Sequence, residues 1–252
     1  MEKKKKIKEI RMNKTLILLI AGNSKRFGGK IKKQFLKINK KPLFLYTFEA
    51  VIKFKFENII IVSPKNYIDK VKKIIDNSVE NKNIKNKNIY YTEGGDERVY
   101  SVYNAMKFIK DNFIKTDYVF IHDGVRPIVS KKEIKELSDS VIKNNAVILA
   151  SKVVDTIKKV DSKKNIVETI DRDFIYRAAT PQAFNFKKYM TAIDKYMHDT
   201  NYNKKSEKKI ATDDAEIYSA YAGKVAIVEC SSNNIKITNK EDLSLFKYIK
   251  NL

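Results

Sequence analysis

One cysteine, Cys230, stands in a chain of 252 residues. A single thiol excludes an internal disulfide framework and a multi-cysteine zinc site. Long apolar runs are also missing. The longest candidate, residues 16–21, is strand-sized and far short of the roughly 20 residues that cross a bilayer. Residues 1–14 are basic but lack the apolar stretch of a secretory signal. The expectation is a soluble, cytoplasmic protein with no membrane partner. Glycine is scarce, with seven residues where average usage of about 7% would give roughly 18. There are four prolines, two histidines, and only six arginines among 52 Lys and Arg. Where a residue type is this rare, each occurrence is expected to be needed.

What is present excludes wholesale disorder, since 43% of the residues are hydrophobic and 11% aromatic. The formal net charge of +22 leaves two readings open. A basic surface can track nucleic acid or anionic lipid. It can also be a lysine-rich solvated surface. The lysines are spread along the chain, and only Lys3–Lys6 form a run. Nucleic-acid readers lean on arginine and interleaved aromatics, and neither is clustered here. The expectation is no nucleic-acid partner.

Short apolar runs alternate with longer amphipathic ones. Strands are expected at 15–20, 58–62, 89–92, 118–121, 146–149 and 225–229. Helices are expected at 42–54, 67–75, 98–109, 131–143, from about 213, and at 241–249. Residues 77–88 and 198–210 read as polar loops. Such β-α-β alternation predicts an α/β fold: one mostly parallel sheet with helices on both faces. Residues 152–170 break the rhythm and read as two strands joined by 161–165, a hairpin-like arm.

In a parallel α/β sheet, ligands bind beyond the carboxyl ends of the strands. The rare residues collect there. Gly22, Arg26, Gly28 and Gly29 follow the first strand; Gly94, Gly95 and Arg98 the third; Gly124, Arg126 and Pro127 the fourth. Glycine admits backbone N–H groups close to phosphate and arginine grips it, so the three loops predict an anion site. The first loop has neither a P-loop ending nor a dinucleotide fingerprint. Its Arg26 and its Lys33-Gln34 pair suit a nucleoside triphosphate, with Arg26 and Lys33 neutralising charge on a phosphorus under attack. Beside a triphosphate, Asp123 is the expected Mg²⁺ ligand. His122 reads as a hydrogen-bonded packing residue and Cys230 as a buried small hydrophobe. His198 carries no assignable role, and hydrolase chemistry has no motif to support it.

These residues are similar to those of the 2-C-methyl-D-erythritol 4-phosphate cytidylyltransferase family, over about residues 15–249. The shared motifs run from Ala21-Gly22 to Lys33-Gln34, through Gly94-Gly95-Asp96-Glu97-Arg98 with Ser101, to His122-Asp123-Gly124-Val125-Arg126-Pro127. They continue with Val154-Asp155-Thr156, Thr169-Ile170-Asp171-Arg172, Thr180-Pro181-Gln182, Ala211-Thr212-Asp213-Asp214 and Asn234-Ile235-Lys236. The resemblance implies a Rossmann-like domain over 15–252 behind a basic extension at 1–14. It also implies a protruding β-arm at about 152–177 that exchanges within a homodimer. Arg26, Lys33 and Lys236 would then surround the α-phosphate of CTP. Ala21, Gly22, Gly95, Asp96, Ser101 and Gly124 would hold the nucleoside, and Asp123 would hold Mg²⁺ or another divalent cation. Thr156, Arg172 and Thr212 would hold the polyol phosphate acceptor, with Thr156 and Arg172 serving the partner's site. The chain departs from the pattern at Ile20, where Ala or Gly is common, at Lys32, where Pro is usual, and at Gly124-Val125, where Ala-Ala is commoner. The last departure keeps ribitol 5-phosphate open as the acceptor beside methylerythritol phosphate.

Overall fold

A computed structural model describes residues 12–22, 32–78, 88–202 and 210–251. Its centre is a seven-stranded sheet. The strands are β1 (Lys14–Leu19), β4 (Asn58–Ser63), β5 (Asn88–Glu93), β6 (Tyr118–Asp123), β7 (Ala146–Lys152), β10 (Tyr176–Asn185) and β11 (Ala226–Glu229). Their spatial order is β11-β7-β10-β6-β1-β4-β5. Every neighbouring pair is parallel except those made by β10, which runs antiparallel to β6 and β7. A two-stranded turn, β2 (Lys37–Ile38) with β3 (Lys41–Pro42), follows the first loop.

The central strands β1, β4 and β6 and the first part of β7 carry apolar runs because both sheet faces are covered there. Alternate residues serve opposite faces. Leu16, Leu18, Ile59, Ile61 and Phe120 join one core with α1 (Leu43–Val51), α2 (Ile68–Asp76) and α4 (Lys131–Asn144). Ile17, Ile60, Val62, Val119 and Ile121 join the other with α3 (Arg98–Asp111), α5 (Phe186–Tyr202) and α6 (Asp214–Tyr221). A third cluster, Ile38, Leu43, Val125, Ile237 and Phe246, seats the last helix, α7 (Lys240–Lys250), beside the loop that follows β6.

The expected strands and helices are present with ends shifted by a few residues, and Pro42 precedes α1 as its N-cap instead of lying in its first turn. Three features differ more. Residues 198–202, expected in a loop, continue α5, whose Tyr189, Ala192, Ile193, Tyr196 and Met197 recur at helical spacing and are buried. The ten-residue strand β10 has no clear alternation, and Pro181 lies inside it. The ladder to β7 shifts between Ala178 and Gln182, which accommodates a residue with no N–H to give. Cys230 is half-buried, and burial pushes its thiol up to about 11.

Where the arm was expected, a two-stranded hairpin lies between β7 and β10, whose ladder ends at Lys152 opposite Tyr176. It carries the antiparallel strands β8 (Ile157–Val160) and β9 (Ile166–Ile170). Asp161 ties their turn by accepting backbone N–H bonds from Lys163 and Asn165, both at 2.9 Å. Val154, Val160, Ile166, Val167 and Phe174 on the arm are exposed.

Candidate active site

Strand β1 is flanked by β4 on one side and by β6 on the other, so the chain changes direction across the sheet there. A crevice forms at such a switch point. The loops after β1, β5 and β6 all open into it. Ile20 donates its N–H to Val62 O at 2.8 Å, Gly94 to Ser63 O at 2.9 Å and Gly124 to Leu19 O at 2.8 Å. Close approach is steric as well as hydrogen-bonded. A Cβ at Gly94 would lie 2.2 Å from the Cβ of Ala21, so only glycine lets these two loops touch.

The result is a cavity of about 280 Å³ lined by Ala21, Gly22, Lys33, Gly95, Asp96, Ser101, Asp123 and Lys236, with Gln34 and Arg98 among the others. Eight of the residues expected from the sequence therefore meet in one place. Gly124 is buried directly behind Asp123. Arg26 lies outside the described residues. Thr156 and Arg172 are on the arm and exposed, and do not line this cavity. Arg172 donates to Val154 O at 2.6 Å across the base of the arm. Thr212 is also absent from the lining. Its N–H and hydroxyl donate to Glu216 at 2.9 and 3.1 Å, just ahead of α6.

Each cation has an identifiable support. Lys33 opens a 3-10 turn, Lys33–Phe35. Gln34 Nε2 donates to Ile20 O at 2.7 Å and Gly22 O at 2.9 Å, so the turn is sewn to the end of β1. Phe35 stacks on Tyr67 with ring centroids 4.6 Å apart. Lys236 is delivered by its neighbour Ile237, which is buried in the third core cluster and donates its N–H to Val125 O at 3.0 Å. Burying such a side chain contributes about 1.5–3 kcal/mol, enough to fix the segment. Upstream, Ser231 donates its N–H to Glu133 Oε1 at 2.8 Å, the same carboxylate that completes the capping box of α4 with Ser130.

Asp123 sits among three cations. Its carboxylate lies 2.9 Å from Lys236 Nζ, 3.2 Å from Arg98 Nε and 3.6 Å from Arg126 Nε. Burial pushes its pKa upward, but Lys236, Arg98 and Arg126 override that and hold it well below the usual carboxylate range. Arg98 also reaches Asp214, 2.7 Å from its terminal nitrogen. Burial favours the neutral guanidine, yet Asp214 and Asp123 outweigh it and raise the Arg98 pKa. Arg126 donates to Asn234 O at 2.7 Å, tying the β6 loop to the segment that carries Lys236.

Behind the carboxylate runs a polar chain. Arg126 O can only accept, so His122 Nε2, at 3.1 Å from it, carries the proton. Nδ1 then accepts from Thr180 Oγ1 at 2.9 Å, and Thr180 Oγ1 accepts the N–H of Asp123 at 3.1 Å. His122 is fully buried, and desolvation pulls its pKa down to about 4, so it is neutral at pH 7. Its role is to pack and to orient, as expected from the sequence. His198 is exposed on α5, away from the cavity.

Arg98 and Arg126, expected from the sequence to grip an anion, are paired instead with carboxylates: Arg98 with Asp123 and Asp214, Arg126 with Asp123. Gln34, Thr180 and Asp214 are site residues with no individual role assigned from sequence. Nothing in the sequence indicated that Thr180 would back Asp123 or that Asp214 would pair with Arg98.

The model of the family described as 2-C-methyl-D-erythritol 4-phosphate cytidylyltransferase matches residues 15–251. A 2-C-methyl-D-erythritol 4-phosphate cytidylyltransferase from Fusobacterium nucleatum is 38% identical over 248 residues, covering 95% of this chain and 97% of that relative. The crystal structure of 4-diphosphocytidyl-2C-methyl-D-erythritol synthase from Anaerococcus prevotii superposes with a TM-score of 0.79 at 27% identity, covering 96% of this chain and 97% of that one. A 2-C-methyl-D-erythritol 4-phosphate cytidylyltransferase from Francisella tularensis gives a TM-score of 0.72 at 31% identity, covering 94% of this chain and 99% of that one.

Proposed function

The chain belongs to the 2-C-methyl-D-erythritol 4-phosphate cytidylyltransferase family, and from that premise we propose that its cleft transfers the cytidylyl group of CTP to 2-C-methyl-D-erythritol 4-phosphate. A phosphate oxygen of the acceptor bonds to the α-phosphorus of CTP. The bond from that phosphorus to the oxygen bridging to the β-phosphate breaks in line. Pyrophosphate leaves, and 4-diphosphocytidyl-2-C-methyl-D-erythritol is formed. The acceptor phosphate is already an anion at pH 7, so no side chain has to take a proton. Catalysis reduces to positioning and charge stabilisation.

The observation that carries this reading is the meeting of Lys33 and Lys236, from opposite ends of the chain, in one cavity with Ala21, Gly22, Gly95, Asp96 and Ser101. The lysines, with Arg26, stabilise the charge on the α-phosphate. Gly95, Asp96 and Ser101 hold the base and ribose. Gly95 N–H is fixed by donation to Ser101 Oγ at 3.1 Å. Thr156, Arg172 and Thr212 hold the acceptor, and Thr156 and Arg172 do so across a homodimer through the exchanged arm. The exposed apolar residues of that arm support this assembly. The enzyme works in the cytoplasm; no helix among the described residues is long and apolar enough to cross a membrane.

Asp123 suits Mg²⁺, which is commonly held by one or two carboxylates with phosphate oxygens and water filling the rest. Asp123 would hold the ion together with oxygens of the bound triphosphate. Bound there, the ion would neutralise charge on the departing pyrophosphate.

A coupled pyrophosphate-release assay tests the reading. CTP with methylerythritol phosphate should turn over well above CTP with ribitol 5-phosphate, and UTP, GTP and ATP should be poor donors. No release with methylerythritol phosphate would refute it, and preferential release with ribitol 5-phosphate would replace the acceptor.

A further inference from the structure

Arg98 opens α3 immediately after the nucleotide loop and spans two carboxylates from different parts of the fold. Its Nε lies 3.2 Å from Asp123 at the end of β6, and a terminal nitrogen lies 2.7 Å from Asp214 at the start of α6. Asp214 is completely buried. Its other carboxylate oxygen accepts from Tyr189 Oη at 2.7 Å, and its backbone N–H donates to Gln182 Oε1 at 3.1 Å. Asp214 is therefore rigid, and it lies two residues beyond Thr212, on the acceptor side of the proposed site.

The geometry points to Arg98 as a positioning residue that fixes the acceptor-side turn, residues 212–214, against the nucleotide-side carboxylate Asp123. This rests on the function proposed above. The chemistry of the bridge is specific. A guanidinium presents its N–H groups in a rigid fork and can serve two carboxylates at once, whereas an ammonium is a single point. Once a triphosphate attracts Lys236 toward its own charge, Asp123 still has Arg98 and Arg126 to hold it. Without Arg98, Asp214 is a buried carboxylate that has lost the one cation paired with it among the described residues, which is costly enough to shift the turn.

The test uses the wild type and four variants of the full chain: Arg98→Lys, Arg98→Met, Asp214→Asn and the Arg98→Met/Asp214→Asn double variant. Wild-type turnover is measured first; its absence would fail the proposed function, not this inference. In an active background, Arg98→Met should lower kcat by about 10²-fold and raise the acceptor KM by about tenfold. Arg98→Lys, which keeps the charge and loses the span, should keep calorimetric CTP affinity within about threefold of wild type yet leave the acceptor KM raised. Asp214→Asn should raise the acceptor KM without moving CTP affinity. The Arg98→Met/Asp214→Asn double variant should be no worse for the acceptor than Arg98→Met alone, since both cut one link. A merely structural role would change thermal stability without this acceptor-selective effect. A normal acceptor KM in Arg98→Lys, equal losses for CTP and acceptor, or independent losses that multiply in the double variant would overturn the inference. Should Arg98→Met fail to fold, Arg98→Lys and Asp214→Asn decide it on the same criteria.

Discussion

Ile20 and Gly124 share one volume: a Cβ added at Gly124 would lie 2.3 Å from Cγ2 of Ile20 and 2.8 Å from the carbonyl oxygen of Leu19. The geometry makes the two positions one compensated pair. The larger residue after β1 is tolerated because the residue after β6 has no side chain. Gly124→Ala should therefore destabilise the fold by about 1–3 kcal/mol through overpacking. Adding Ile20→Ala should recover part of that loss, because the contact with the Leu19 carbonyl remains. Urea unfolding of the two single variants and the double gives the coupling energy. Strictly additive effects would show that the positions do not compensate.

Lys33→Ala and Lys236→Ala should each lower turnover by about 10²–10³-fold, the usual effect of removing one preorganised donor from a developing charge. Stability should change much less. Asp123 loses Lys236 in the second variant but keeps Arg98 and Arg126. Steady-state kinetics beside thermal melts separates the two effects. Near-normal turnover in both variants would remove the lysines from the transition state.

His122 makes the fold acid-sensitive. Its pKa is lowered to about 4 when folded, against an ordinary 6.5. Below 6.5 the unfolded chain binds a proton that the native protein refuses until about pH 4, so stability falls as pH falls across that window. Between pH 7 and pH 5 the loss from this one group should be about 2 kcal/mol. His122→Gln should be less stable at pH 7 and should show a flatter pH dependence. Urea titrations at the two pH values check it. The same slope in His122→Gln would mean that another group is responsible. Asp123, whose pKa is depressed, acts at lower pH: its contribution is present above the ordinary carboxylate pKa and is lost as pH falls toward its folded value.

The central parallel strands were legible because both faces are buried, which writes each around an apolar run such as residues 59–62 in β4. The site loops were legible because close backbone approach demands glycine, as at Gly94 against Ala21. Strand β10 was not. Six of its ten residues are Ala, Thr, Pro or Gln, and it is held by its place between β6 and β7 instead of by its own pattern. The Arg98 bridge was hidden for a related reason: Asp123 and Asp214 belong to distant segments, and only the sheet order brings them to one guanidinium.

The arm gives a stoichiometric prediction. Arg172 is exposed and lies outside the cavity lined by Lys33. If it serves the partner's site, a dimer of one Lys33→Ala and one Arg172→Ala subunit concentrates both lesions in one site and leaves the other intact. If it serves its own subunit, both sites of that dimer stay damaged. Mixing the two inactive variants at equal concentration, with subunit exchange, makes half the dimers mixed, each with one working site of two. Turnover should rise to about a quarter of the wild-type value. Sedimentation with differently labelled subunits verifies that mixed dimers form. Verified mixed dimers with no recovered turnover would place Arg172 in its own subunit's site and leave the arm a purely structural clasp.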